Sequence, residues 1–244
     1  MGKLDRLNSF LQKLGFELTR YNKGTSAALR RKAIFDRYAV DLIIDVGANT
    51  GIYGCEVRST GFKEKVVSFE PLREVFEKLK SKAKADANWQ VFNYALGADN
   101  GSQFINVSAN SHSSSILDIL DTHTKAEATA SYVGKEEIQI RTLDSLFDEL
   151  KENAKEIFLK IDTQGFELSV LEGAAQSLPY INTIQLEMSL QPLYTGQALY
   201  DDLMEFLHNS GYRLIDIEPG FADLENGTLF QFDGTFRRIN PFTN

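Results

Sequence analysis

The residues of this 244-residue chain that could do chemistry are a glycine-punctuated turn and a few carboxylates, each placed just after an apolar run. Asp45, Val46, Gly47, Ala48, Asn49, Thr50 and Gly51 lead from the end of the run DLIIDV into the next amphipathic stretch, and Glu70 falls 25 positions after Asp45, at the end of VVSFE. Gly47 and Gly51 remove side chains where backbone must bend sharply and approach a ligand, while Asn49 or Thr50 can cap the next helix. A carboxylate at Glu70 can accept hydrogen bonds from both hydroxyls of a ribose. Together the two segments point to a nucleoside cofactor; a tight turn plus a helix-capping Glu is the plain structural alternative. An NAD(P)-binding oxidoreductase would use the same two places. Against it, the turn lacks the G-x-G-x-x-G that lets backbone hug a pyrophosphate, and no Tyr-x-x-x-Lys pair occurs.

A second group lies further along. Asp162 ends the run EIFLKI, where it could be a general base, a ligand for a cofactor's amino group, or a cap of the next helix. Glu187 ends the following run and could pair with Asp162; such a pair could hold Mg²⁺ against a diol, but no third ligand is evident and no metal is expected. His112, in the polar stretch 108–115, is a candidate base or sugar contact, or an exposed histidine without a role. Tyr194 could stack on a sugar face, wall off a site or simply pack. Glu167 reads as a first-turn carboxylate complementing a helix dipole. Asp162, His112 and Glu187 are thus the catalytic candidates. Asp45, Gly47, Asn49, Gly51, Glu70, Pro71, Ala95, Leu96 and Ser115 are the expected cofactor-binding set.

Residues just past strands can converge only if the strands are parallel neighbours, and the pattern supplies that arrangement. From residue 41, short apolar runs alternate with amphipathic stretches, the signature of a parallel sheet covered on both faces. Strands are expected over 41–46, 66–69, 89–96, 103–107, 137–141, 156–161, 181–188, 212–217 and 228–232. Helices are expected over 49–59, from Pro71 through an inner face of Leu72, Val75, Phe76 and Leu79, over 144–151 and 166–178, and around Leu199 to Leu207. The fold class is therefore α/β and Rossmann-like: a mostly parallel sheet of about seven strands with a terminal antiparallel hairpin. In such sheets ligands bind beyond the carboxyl ends of the strands, where strand order reverses.

Six segments, DLIIDVGANTGIYG, VVSFEPLREVFEKL, FNYALGADNGSQFINVSANSHSSSIL, IQIRTLDSLF, IFLKIDTQGFELSVLEGA and IQLEMSLQPLYTG, arrive in the order of the FkbM family of methyltransferases, which the chain resembles over residues 41–215. The resemblance implies a class I fold, S-adenosylmethionine as cofactor, and methyl transfer to a hydroxyl of a sugar, glycan or natural-product precursor. It departs from the family at Leu72 and Arg73, where a second proline is common, and at His112, where a small residue is more usual. A non-catalytic cofactor-binding protein of the same fold is the alternative outside catalysis.

Bulk properties narrow the partners. The net charge of -8 argues against a nucleic-acid footprint, which rests on neutralising many phosphates. That charge is uneven: residues 1–40 hold nine Lys/Arg against three Asp/Glu, and the rest 17 against 31. Residues 1–40 read as a helical extension and 41–244 as the catalytic domain. Leu4, Leu7, Leu11 and Leu14 recur at helical spacing up to Gly15, predicting an amphipathic helix over 3–14 that either packs on the domain or docks on a membrane surface or partner. No apolar run reaches the ~20 residues needed to span a bilayer, and no secretory core opens the chain, so a cytoplasmic protein is expected. The single cysteine, Cys55, excludes an intramolecular disulfide and is expected to be a small buried residue.

Overall fold

The computed structural model describes residues 3–239, and its core is a seven-stranded sheet in the order β3, β2, β1, β7, β8, β10, β9. The strands are β1 (Leu42–Val46), β2 (Lys65–Phe69), β3 (Trp89–Phe92), β7 (Ile157–Ile161), β8 (Thr183–Ser189), β9 (Tyr212–Pro219) and β10 (Gln231–Arg238). The first five pair in parallel, and β10 returns antiparallel between β8 and β9. Strand order therefore reverses at β1, which has β2 on one side and β7 on the other.

Alternation along each strand decides which helices cover which face. Ile44, Val67, Leu159 and Ile184 bury against α6 (Leu143–Lys151), α7 (Glu167–Glu172) and α8 (Tyr200–Asn209). Ile43, Val66 and Phe158 point the other way, against α2 (Ala27–Tyr38), α3 (Ile52–Ser59) and α4 (Arg73–Ala83), through Phe35, Tyr53, Val57 and Leu79. On that second face the positions nearest the carboxyl ends are polar: Asp45, Ser68, Lys160 and Gln185, all buried. Burying polar groups costs free energy unless they are paired, so this end of the sheet is built for more than packing.

A second sheet of three strands, in the order β4 (Ala95–Leu96), β6 (Tyr132–Arg141), β5 (Gly101–Ser108), packs Ile105, Ile138 and Ile140 against Leu72 and Val75 at the start of α4. The stretch 89–96, expected as one strand, divides because Asn93 donates its amide to the carbonyls of Glu70 and Pro71, at 2.9 Å each, and turns the chain out of the main sheet. Ala95 and Leu96 then pair with β6. Between β5 and β6 lies the short helix α5 (Asp121–Ala126).

Several expectations are corrected. The helix after β7 ends at Glu172, because Gly173 packs so closely on Gly97 that an added Cβ would lie 1.9 Å from its carbonyl oxygen. The last strand runs over Gln231–Arg238 rather than 228–232, its Asp233, Thr235 and Arg237 facing Glu187, Gln185 and Thr183 across the ladder. Helix α2 lies within the helical extension expected over 1–40, where only the helix over 3–14 was delimited; its buried contact is Phe35, and Arg30 and Arg31 bind Asp216 and Glu218 of β9 at 2.9 and 3.4 Å. Cys55 is exposed on α3. The first helix, α1 (Lys3–Leu11), continues as a 3-10 turn to Leu14 and stops at Gly15, as its spacing predicts, but Leu7 and Leu14 are exposed rather than packed on the domain. Among the described residues no helix is long and apolar enough to cross a membrane.

Candidate active site

Register brings the candidate residues together. Val46 pairs with Phe69 on one side and Ile161 on the other, and Ile161 pairs with Leu186. The next residue of each strand, Gly47, Glu70, Asp162 and Glu187, therefore emerges at one level along the sheet edge. All four line a cavity of about 270 Å³, with Val46, Phe69, Leu72, Leu96, Ile105, Ile116 and Phe166 as its apolar walls. Asn49, Pro71, Ala95 and His112 line it too, with Ser111, Ser114, Thr163 and Gln164. Asp45, Gly51 and Ser115 lie outside this wall. Asp45 points into the helix-covered face, Gly51 packs on Leu79 and Trp89, and Ser115 donates its hydroxyl to the Gln164 carbonyl at 2.7 Å.

The turn after β1 has to be glycine. Gly47 has φ of 76°, and a Cβ there would lie 1.8 Å from the Asp162 carbonyl oxygen, a backbone atom that cannot rotate away. Gly47→Ala should therefore cost at least about 3 kcal/mol, combining a left-handed penalty with a rigid overlap; denaturant unfolding measures it, and a variant as stable as the parent would mean that the two turns are not in contact. Asn49, at φ of 48°, does not cap the helix as expected: its Oδ1 accepts from the Thr50 N–H at 2.7 Å and its amide donates to the Ser111 carbonyl at 3.2 Å, while Gly51 takes the cap position.

Glu70 is nearly buried. Its Oε1 accepts from the Leu72 N–H and its Oε2 from the Asn49 N–H, both at 2.9 Å. Each oxygen keeps a further lone pair for a ligand hydroxyl. Burial pushes the carboxyl up to about 7 against the pull of those two donors. A group in that range is charged or neutral according to what binds it.

Opposite lies a charged cluster that sequence patterning did not assemble. Lys160, buried in β7, places its Nζ 3.2 Å from Asp162 Oδ2 and 3.5 Å from Asp45 Oδ1. Burial opposes its charge, but Asp162, Asp45 and Asp233 outweigh that cost and hold the ammonium above its ordinary range. Burial drives Asp45 up despite Lys160 and the hydroxyl of Ser68, which donates to Oδ2 at 3.0 Å. Asp233, on β10, is pushed up to about 6 by burial and by Asp162.

Gln164 is the connection that was missed. At φ of 55°, in the turn after β7, its amide nitrogen donates to Asp162 Oδ1 at 3.0 Å and Glu187 Oε2 at 2.9 Å. Its amide oxygen accepts from Tyr194 at 2.7 Å. Tyr194 is fully buried, so it anchors the site from behind rather than stacking on a ligand. The amide thus stands between the two carboxylates that might otherwise have shared a cation, and among the described residues no group of three or more His, Cys, Asp or Glu is arranged to hold a metal. Gln231 donates a second amide to Glu187 Oε2 at 2.6 Å. Burial, then the charges of Asp162, Glu167 and Asp233, raise Glu187 well above the usual carboxylate range. His112 sits exposed on the rim.

Glu167 does more than complement a helix dipole. Buried, it accepts from the N–H and hydroxyl of Thr163, at 2.9 and 3.1 Å, and from the Gly165 N–H at 3.2 Å, so it shapes the turn that carries Asp162 and Gln164. Burial raises it to about 7 from the 4.5 of a free glutamate. Because the folded value is the higher one, ionisation opposes folding: stability is full below pH 4.5 and declines as pH rises to about 7. Glu167→Gln keeps an acceptor oxygen, and should gain about 3 kcal/mol over the parent at pH 8 and almost nothing at pH 4. Urea unfolding at both pH values checks this; an equal effect at the two would contradict it.

The chemistry of these parts suits a nucleoside-bearing methyl donor: a buried carboxylate acceptor at Glu70, apolar walls, closely approaching backbone at Gly47, and carboxylates opposite. The sequence model described as "Methyltransferase FkbM domain" matches residues 45–214, the span that carries every one of them. The chain belongs to the FkbM methyltransferase family. S-Adenosylmethionine is accordingly its methyl donor, and hydride transfer from a dinucleotide is set aside. No curated protein matches the chain in sequence. Among solved structures, this FkbM-family methyltransferase is similar to an rRNA methylase from Streptococcus thermophilus (9% identity, 88% of this chain and 99% of that one, TM-score 0.48). It is similar also to a candidate tRNA (m1A22) methyltransferase from Streptococcus pneumoniae solved with S-adenosyl-L-methionine (12%, 88% and 75%, 0.47) and to a precorrin-6y C5,15-methyltransferase from Geobacter metallireducens (10%, 91% and 93%, 0.44).

Proposed function

We propose that this enzyme methylates a hydroxyl oxygen of a sugar, glycan or natural-product precursor, with Glu187 as the base and Asp162 as the carboxylate nearer the cofactor. The observation that carries the reading is the polar end of the cavity, where Asp162 and Glu187 are held by one amide at 3.0 and 2.9 Å and burial with the neighbouring acids drives Glu187 toward basicity. A base whose pKa approaches the working pH is the better match for an alcohol proton. Both amide donors reach Oε2 of Glu187, and among the described residues no hydrogen bond engages its Oε1. Asp162 shares Lys160 with Asp45 and remains part-exposed toward the cavity, where a carboxylate can meet an ammonium or sulfonium.

The bound cofactor supplies an electrophilic methyl on sulfur. In the proposed step the acceptor oxygen bonds to that carbon as the carbon–sulfur bond breaks, and the hydroxyl proton passes to Glu187. Glu70 grips the ribose; Gly47 and Asn49 shape the turn beneath it; Pro71, Ala95 and Leu96 flank the purine. Asp45, Gly51 and Ser115 support these residues from outside the wall. Ser111, Ser114 and His112 offer hydroxyl and imidazole partners of the kind that polyols bind. The net charge of -8 favours such an acceptor over a nucleic acid.

Incubating the chain with methyl-labelled cofactor and a panel of nucleotide sugars and glycans should yield a product whose label survives alkali, as an ether does. A label released by mild alkali would indicate an ester and carboxyl methylation. Label found only on amine nitrogen would also refute the hydroxyl assignment.

A further inference from the structure

Large apolar side chains exposed one at a time need no explanation, but a contiguous group marks an interaction surface. Within residues 7–21, Leu7, Phe10, Leu14, Phe16, Leu18 and Tyr21 are all exposed, from 45% for Leu7 to 76% for Tyr21. The first three recur at helical spacing on α1 and its 3-10 extension. The others lie on the segment that turns back at Gly15, whose φ is 79°. The two limbs are tied: the Asn8 amide donates to the Leu18 carbonyl at 2.8 Å, and Asn8 Oδ1 accepts from the Leu18 N–H at 2.8 Å. The apolar residues therefore belong to one small folded unit.

The charge of that unit is unspent. In α2, Arg30 binds Asp216, Arg31 binds Glu56 and Glu218, and Lys32 binds Asp36. By contrast Arg6, Lys13, Arg20 and Lys23 make no ion pair among the described residues, although the rest of the chain is strongly acidic. Aromatic and leucine side chains interleaved with uncommitted cations are what an interfacial element needs: apolar groups enter the acyl boundary while basic ones meet anionic headgroups. We propose that residues 3–25 dock the enzyme reversibly on an anionic lipid surface.

The acidic body would be repelled by the same surface, so attachment rests on this unit alone and weakens with salt. The test is co-sedimentation of the full chain with vesicles of phosphatidylglycerol or of phosphatidylcholine alone. Binding to the anionic vesicles should exceed binding to the zwitterionic ones by at least ten-fold and fall about ten-fold between 0.1 and 0.5 M NaCl. Phe10→Ser with Phe16→Ser, and separately Arg6→Glu with Lys13→Glu and Arg20→Glu, should each reduce it by ten-fold or more, leaving thermal unfolding and cofactor affinity unchanged. Failure to sediment with anionic vesicles would overturn the proposal, as would variants that bind like the parent. So would a parent that self-associates in sedimentation velocity, does not bind lipid, and becomes monomeric in the Phe10 and Phe16 variant, since the occupant would then be a second copy. None of these outcomes bears on methyl transfer.

Discussion

Replacing Glu70 with alanine is expected to weaken S-adenosylmethionine binding by 10²-fold or more. Two ribose hydroxyls donating to a carboxylate in a nearly dry site contribute roughly 1.5–3 kcal/mol each, and the variant loses both. It also orphans the N–H groups of Asn49 and Leu72, now held at 2.9 Å, which loosens the turn on which the cofactor rests. Glutamine is no rescue, because the carboxylate faces a backbone donor on each oxygen and an amide would set its own N–H against one of them. The same residue predicts a pH dependence. Without ligand its carboxyl lies near 7, and hydroxyl donors favour the ionised form, so affinity should rise with pH up to about 7 and then level off. Calorimetry at pH 6 in two buffers of different ionisation enthalpy should reveal proton release on binding. Unchanged affinity in Glu70→Ala would remove the ribose assignment.

Much of this site was legible because its framework is periodic. The apolar runs ending at Val46, Phe69 and Ile161 identified neighbouring strands, and residues one step beyond parallel neighbours must emerge together; that is why Gly47, Glu70, Asp162 and Glu187 could be named from spacing. Gln164 escaped because an amide at positive φ in a turn has no pattern to announce it: its role exists only through Asp162, Glu187 and Tyr194, which the fold alone gathers around it. Lys160 was hidden inside an apolar strand, and its importance depends on Asp162, two residues further on, and on Asp45, brought within 3.5 Å by the pairing of β1 with β7. Gly51 was expected at the cofactor because glycine lets backbone approach a ligand, and Ser115 belonged to the same expected set; Gly51 packs on Leu79 and Trp89 and Ser115 bonds the Gln164 carbonyl, both outside the cavity wall. Helix α2 was not delimited within the extension because it buries chiefly one ring, Phe35, and is otherwise fixed by arginine–carboxylate pairs across to β9, which sequence periodicity cannot register.

Glu187→Gln should abolish most turnover while sparing the cofactor. Loss of a positioned base lowers the rate by about 10²-fold to 10⁴-fold. The substitution is otherwise conservative, because an amide oxygen can still accept from Gln164 and Gln231, now at 2.9 and 2.6 Å from Oε2, with its NH₂ in the cavity. Cofactor affinity should therefore stay within about three-fold and stability should not fall. Asp162→Asn should show the opposite division, weakening cofactor binding by ten-fold or more because Lys160 is left facing only Asp45 and the cationic centre loses its partner. The parent's rate should rise with pH through a limb well above the usual carboxylate range, since burial and the neighbouring acids raise Glu187. Gln164→Glu, which inserts a third carboxylate between the two, should move that limb further up, whereas Gln164→Ala should lower the rate through misalignment of both carboxylates. If Asp162→Asn kept cofactor affinity and lost turnover while Glu187→Gln remained active, the roles of the two carboxylates would have to be exchanged: the proton would pass to the acid beside Lys160, and the raised basicity of Glu187 would be a by-product of burying it against Asp162, Glu167 and Asp233 rather than the source of catalysis.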